Sequence, residues 1–245
     1  MIALMDPQAG TEAPALSTPT FHGRECMGRP SIGLERWEGL ECAVHLDLVL
    51  PMYKEIWADP PYCEGPKEIA EFLDRFAQEI FLPRARLVVA HCGDVPIGYA
   101  FGYPLPSETG WWTAMDEETT PAFRAETGER TLGVVELAVR AKWRRQGMAA
   151  QMHAHLLEGM GVERVTLAMR PEAEAAPAHA AYAAWGYRQV GHWRPADGEP
   201  VSRIMLLTLP LPSTRSTDDL EGDRSGERLP GRGARGPGRV EDGGQ

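Results

Sequence analysis

The sequence predicts an α/β fold built on a mixed, mostly antiparallel sheet, with one parallel βαβ pair at its centre and helices on both faces. Three observations predict it. The spacing of apolar residues switches repeatedly between strand and helix periods across residues 30–211. A strand pattern at 132–139 runs through a short turn into an amphipathic helix over 146–160 and then into a second strand pattern at 162–169, the order of a parallel crossover unit. Gly93-Asp94 and Asp197-Gly198 each separate two strand-like runs, where they suit hairpin turns and therefore antiparallel pairs.

Taken in order, residues 45–58 place Leu46, Leu50, Tyr53 and Trp57 at helical spacing, and residues 66–82 place Ile69, Phe72, Leu73, Phe76 and Ile80 on one stripe, which gives two early helices. Strands at 86–92 and 95–103 follow, joined at Gly93-Asp94. The helix over 146–160 carries Ala149, Met152, Leu156 and Met160 on one face. An Ala-rich helix over 175–185 is closed by Gly186, and strands at 187–193 and 201–209 complete a last hairpin. The element order, ααββ then βαβ then αββ, calls for helices packed on a mixed sheet.

Both ends differ from this middle. Residues 1–29 have clustered Pro, Ser, Thr and Gly without a helical or strand period, and residues 212–245 contain no aromatic and are rich in Gly and mixed charge. The C-terminal stretch cannot bury enough apolar area to offset the entropy of ordering, so a disordered C-terminal tail and, from the missing period, a flexible N-terminal segment are expected around a single domain at 30–211.

The net charge of −10 argues against nucleic acid as a partner, because that binding is driven by Lys and Arg displacing counterions. Cysteines at 26, 42, 63 and 92 fit neither a disulfide framework nor a CxxC metal knuckle. No apolar run reaches the ~18 residues of a membrane span, and the opening MIALMDPQAG lacks a basic segment followed by an apolar one. A cytoplasmic protein with no membrane partner is expected.

The informative stretch is GVVELAVRAKWRRQGMAAQMHAHLL, residues 133–157. Within it Arg144, Gly147 and Ala149 form R-x-x-G-x-A directly after a strand and across the start of a helix, where several backbone N–H groups have no intrahelical partner. Such a terminus attracts anions through those donors and the helix dipole, and the absence of a side chain at Gly147 lets phosphate oxygens approach closely. Arg144 or Arg145 can add a charge-assisted contact. Downstream, Tyr182 and Gly186-Tyr187 close the next helix.

With these residues in view, the chain resembles the GNAT superfamily of N-acetyltransferases. The matching positions are Glu136-Leu137-Ala138-Val139 on the strand, Arg144-x-x-Gly147-x-Ala149 after it, and the A-x-x-x-Y-x-x-x-G-Y run from Ala178 to Tyr187. The resemblance implies the acyl-CoA N-acyltransferase fold, a sheet splayed between its fourth and fifth strands, and acetyl-CoA as co-substrate. It implies that backbone groups of Leu137, Ala138 and Val139 hold the pantetheine arm, and that Arg144, Arg145, Gln146, Gly147, Met148, Ala149 and Ala150 form the pyrophosphate loop. Many members carry an Asn seven residues before the tyrosine; this chain has Ala175 there, with Pro177 two residues on.

An ammonium acceptor cannot attack a thioester until it loses a proton, so a base or water chain is needed beside it. Glu136, on the strand lining the cleft, is the candidate for that base or for holding the cationic acceptor; the alternative is a rim carboxylate or a structural ion pair with Arg140 or Arg164. The resemblance places Tyr182 where a phenol can hydrogen-bond or protonate the departing thiolate; packing between helix and sheet is the other reading. Binding both reactants together supplies orientation, so no covalent acyl-enzyme is required and the cysteines need no nucleophilic role.

Trp111-Trp112 and the segment Asp59-Pro60-Pro61-Tyr62-Cys63-Glu64 lie where the resembled family forms the acceptor side of its cleft. Tyr62, Glu64, Trp111, Trp112 and Tyr53 are therefore substrate-binding candidates, since aromatics beside carboxylates suit a cationic amine; a hydrophobic lid or a homodimer contact is the alternative. His153 and His155, two apart on a helix, point to different faces, so no metal is expected. The function expected is acetyl transfer from acetyl-CoA to a primary amine of a small molecule by direct attack in a ternary complex. A protein or peptide amine as acceptor, or a non-catalytic acyl-CoA-binding sensor, stands as the alternative.

Overall fold

The computed structural model describes residues 31–60, 62–113, 115–171, 175–193 and 201–210. These belong to a unit spanning 1–209, apart from Pro210, which starts a second unit of 210–245. Both expected tails and the Asp197-Gly198 turn lie outside the described residues.

The elements are β1 (Ile32–Glu38), α1 (Glu41–Val44), α2 (Leu46–Ile56), α3 (Pro66–Glu79), β2 (Arg86–Cys92), β3 (Val95–Pro104), α4 (Pro121–Arg124), β4 (Thr131–Val139), α5 (Met148–Leu157), β5 (Arg164–Met169), α6 (Ala176–Ala184), β6 (Arg188–Trp193) and β7 (Ser202–Thr208). All seven strands form one sheet in the order β1-β2-β3-β4-β5-β7-β6. Strand β1 goes beyond the sequence expectation. Its residues alternate between half-buried and exposed at the sheet edge, and the IGLERWE stretch is too polar for a core-strand pattern to emerge. The short α1 and α4 likewise fall below the length at which a period can be read.

Pairing is antiparallel everywhere except between β4 and β5. That parallel contact is brief: Thr131, Leu132 and Gly133 face Arg164, Val165 and Thr166, and pairing ends there although β4 runs on to Val139 and β5 to Met169. Beyond Gly133, β4 follows β3 and β5 follows β7, so the sheet opens into a V with an unpaired edge along the second half of β4. A register shift between Phe101 and Gly102 turns Glu136 onto the same face as Phe101.

One face of the sheet is covered by α5, whose Met148, Met152 and Leu156 pack on Val88, Ala100, Leu132, Val165 and Met205. On the other face, Val49, Met52, Tyr53 and Ile56 of α2 and Phe72 and Phe76 of α3 pack on Leu87, Val89, Tyr99 and Phe101. The buried stripe of α2 is rotated from the expected one: Leu46, Leu50 and Trp57 only flank it. Over the β5–β7 half, that face is covered by the 105–126 segment, through a smaller core of Leu105, Trp112, Met115, Ile204 and Leu206. Two separate covers over one splayed sheet leave a cleft between them.

The 105–126 segment is anchored by a buried ion pair. Arg164 Nη2 and Glu126 Oε1 lie 2.7 Å apart, and the same oxygen accepts from Trp112 Nε1 at 2.8 Å and Thr131 Oγ1 at 2.7 Å. The Arg164 guanidinium also sits 5.0 Å from the Trp112 ring centre and 4.8 Å from that of Phe123.

Candidate active site

The cleft at the opening of the V has a volume of about 730 Å³. Its floor is the Val134–Leu137 stretch of β4; α2 and the residue that caps its end supply Tyr53 and Trp57, and α3 supplies Arg75 and Glu79; the far wall holds Trp111, Leu167, Met169, Arg170 and Tyr182. Glu136, Tyr182, Tyr53, Tyr62, Glu64 and Trp111, all expected from the sequence, line this single cleft. Trp112 does not. It is 1% exposed, and its indole N–H is held by Glu126, so it supports the wall on which its neighbour Trp111 is displayed. Trp111 itself donates from Nε1 to Thr166 Oγ1 at 3.3 Å.

Glu136 is 6% exposed and sits in a polar network. Its Oε1 lies 2.5 Å from Arg75 Nη2, and the Tyr99 hydroxyl donates to Oε2 at 3.4 Å. Tyr99 in turn accepts from Trp57 Nε1 at 2.9 Å. The ion pair is therefore with Arg75 of α3, and not with either arginine expected from the sequence: Arg140 pairs with Glu55 and Arg164 with Glu126. Burial pushes the Glu136 carboxyl up to about 7; Arg75 opposes this, while Glu64 and Glu79 add to it. For Arg75, burial disfavours the cation, but Glu136 and Glu79 outweigh it and raise its pKa.

The rim continues the pattern. The Tyr53 hydroxyl donates a short hydrogen bond to Glu64, and Tyr103 donates to Glu79 Oε1 at 3.1 Å. Burial raises the Glu79 carboxyl and both phenols. Tyr182, half-buried on α6, packs edge-on against Trp185 and Tyr187 and lies within electrostatic reach of Tyr62 and Glu136. Burial raises its phenol as well, which keeps it protonated and able to donate.

Arg75, Glu79, Trp57, Tyr99, Tyr103 and Arg170 join the site without belonging to any motif. For Arg75 and Glu79 a signal exists: both share the apolar stripe of α3 with Phe72 and Phe76, where a charge is misplaced unless it meets a partner.

At the far end of β4 the chain forms one 3-10 turn (Ala141–Trp143) and reaches α5 through two left-handed residues, Arg145 at φ 65° and Gly147 at φ 82°. The helix therefore starts at Met148, two residues later than its periodicity implies. Gly147 occupies the N-cap and no side chain caps the helix, so the first-turn amides of Met148, Ala149 and Ala150 have no intrahelical acceptors. Arg144 to Gly147 are exposed. Arg144 Nε donates to the Val139 carbonyl at 2.9 Å, which ties the loop to the strand end. Ala138 and Val139 are buried in opposite cores, so only their backbone is available to a ligand, while Leu137 also lines the cleft. An uncapped helix start and an unpaired strand edge fit the pyrophosphate and the amide-bearing arm of coenzyme A.

The family model described as acetyltransferase (GNAT) family matches residues 49–187, more than half of the sequence, and the chain belongs to that family. No curated protein matches it in sequence. Among solved structures it is similar to a GNAT-family protein from Desulfovibrio desulfuricans, at 16% identity and a TM-score of 0.51 over 73% of this chain and 99% of that one. It is also similar to the ribosomal-protein-S18-alanine N-acetyltransferase of Escherichia coli, at 14% identity and a TM-score of 0.50 over 76% and 99% of the two chains. A third, the PaiA N-acetyltransferase of Thermoplasma acidophilum in complex with coenzyme A, has 11% identity and a TM-score of 0.49 over 73% and 99%. At these identities the likeness to the first two is one of fold. Among the described residues no His, Cys, Asp or Glu cluster could hold a metal ion, and no helix is long and apolar enough to cross a membrane.

Proposed function

We propose that the chain transfers an acetyl group from acetyl-CoA to a primary amine of a small molecule, both bound at once in the V of the sheet. The observation that carries this reading is that a buried carboxylate, Glu136, and a protonated phenol, Tyr182, line one half-enclosed aromatic cleft at the sheet opening. Bound acetyl-CoA supplies the activated carbonyl. The amides of Met148 to Ala150 and the exposed Arg144 and Arg145 hold its pyrophosphate, and the open edge of Leu137 to Val139 receives the pantetheine arm.

Glu136 accepts the proton of the acceptor ammonium, directly or through one water, and its pKa of about 7 suits a base working near neutrality. Tyr182 donates its phenolic proton toward the leaving sulfur. Tyr53, Tyr62 and Trp111 line the cleft and exclude water from the amine, and Glu64 adds negative potential beside them. The cleft volume of about 730 Å³ is of the size that takes a small acceptor.

The test is release of free thiol from acetyl-CoA with small amines and, separately, peptides. Small-amine turnover, reduced about 10²-fold or more in Glu136→Gln and Tyr182→Phe while CoA affinity is kept, is the expected result. Turnover with peptides alone would remove the small-molecule assignment, and unchanged rates in both variants would remove the catalytic one.

A further inference from the structure

Resting on the reading of this cleft as the acceptor site, we infer that the acceptor amine carries its own carboxylate and that Arg170 receives it. Arg170 is the first residue beyond β5 and lines the cleft. Its carbonyl accepts from His179 Nε2 of α6 at 2.9 Å, which fixes the backbone. Its guanidinium carbon lies 5.4 Å from the centre of the Tyr62 ring, which itself packs edge-on against Trp57 at 4.3 Å. The cation is thus held on an aromatic wall that reaches from β5 to α2.

Charge accounting sets Arg170 apart. Arg75, the other guanidinium lining the cleft, is engaged by Glu136 at 2.5 Å and Glu79 at 3.8 Å. Arg170 forms no salt bridge among the described residues. Glu68 feels the Arg170 charge while accepting the Gly65 N–H at 2.9 Å, and Glu64, which also lines the cleft, accepts from Tyr53. Among the described residues the half-buried guanidinium of Arg170 is left without a salt bridge, and its planar fork matches a carboxylate with two parallel hydrogen bonds. A cleft lined both by carboxylates and by this cation complements a zwitterion of the amino-acid type. A peptide N-terminus, which offers an amide at that position, fits less well.

The experiment is calorimetry on the CoA-loaded chain with amino acids, each paired with its own primary amide, at about pH 6 so that both members are ammonium ions. The acid of at least one pair binds tenfold or more tightly than its amide, Arg170→Gln removes that preference, and Arg170→Lys restores part of it. CoA affinity stays unchanged in both variants and serves as the control for folding. Equal or tighter binding of every amide, no binding by any pair, a preference that survives Arg170→Gln, or a loss of CoA affinity instead would each overturn the assignment. Thiol release on the same panel separates the two readings: turnover without acid preference ends the Arg170 subsite alone, and acid preference without turnover ends the transfer reading alone.

Discussion

Arg75 of α3 and Glu136 of β4 meet at 2.5 Å on the floor of the cleft, joining one cover of the sheet to the strand where the sheet opens. Burial alone would hold the carboxyl largely neutral, and the guanidinium pulls it back toward physiological pH. The rate of thiol release is therefore expected to rise with pH through an acid limb near 7. Arg75→Met moves that limb to higher pH, because the opposing charge is gone while Glu64 and Glu79 remain. Glu136→Gln abolishes the limb. A pH profile of kcat/KM on the three proteins checks this, and an unmoved limb in Arg75→Met would show that another group is titrating.

Glu136 and His153 impose opposite pH dependences on stability. The Glu136 carboxyl is raised from 4.5 to about 7, so its contribution is fully present below 4.5 and is lost as pH rises through 7. Burial beside Tyr187 lowers His153 from 6.5 to about 4, so its contribution is present above 6.5 and is lost as pH falls toward 4. Each slope is at most about 1.4 kcal/mol per pH unit, and between 4.5 and 6.5 they offset one another. Relative to the parent, His153→Gln is expected to lose stability with rising pH over this window, and Glu136→Gln to gain it. Urea midpoints across pH 4–7 read both slopes.

Gly147 tests the cofactor loop. A Cβ there would meet only Gln151 Nε2 at 3.9 Å, so the obstacle is the backbone angle and not space. Gly147→Val is expected to lower stability by about 1–2 kcal/mol without ligand. It also removes the CoA-dependent gain, which for the parent is about 2.7 kcal/mol at a hundredfold excess over Kd. Thermal melts with and without CoA measure both, and a retained ligand shift in the variant would place the pyrophosphate elsewhere.

The Arg164–Glu126 pair predicts a different failure. Both residues are buried, at 6% exposure each, so Arg164→Leu strands a carboxylate beside Trp112 and should destabilise by about 3–5 kcal/mol. The double variant Arg164→Leu/Glu126→Gln recovers much of that loss, since the uncompensated charge is gone. Denaturant unfolding of the single and double variants gives the comparison, with additive losses as the outcome that contradicts a coupled pair.

Much of the fold and part of the site were legible in the chain itself. The periods of β2, β3, β4, α5 and β5 reflect burial on one or two faces and are local, so they read directly. The R-x-x-G-x-A run is also local: its chemistry lies in the main-chain conformation of Arg145 and Gly147 and in the first turn that follows. Trp111 and Trp112 show where such reading stops. Adjacent and chemically identical, they differ in role because one reaches Thr166 at the cleft wall and the other is enclosed by Glu126, Arg164 and Phe123.

What the sequence determined by itself is the order of the longer elements from α2 to β7, the strand–turn–helix unit and the residue types offered to the cleft, because each follows from short-range periodicity and backbone preference. Only the tertiary structure decided that pairing of β4 with β5 ends at Gly133, that Arg75 is the partner of Glu136, and that Arg170 rests on Tyr62. The two arginine contacts join residues 61 and 108 positions apart, and no local pattern encodes which distant groups a splayed sheet and its two covers bring face to face.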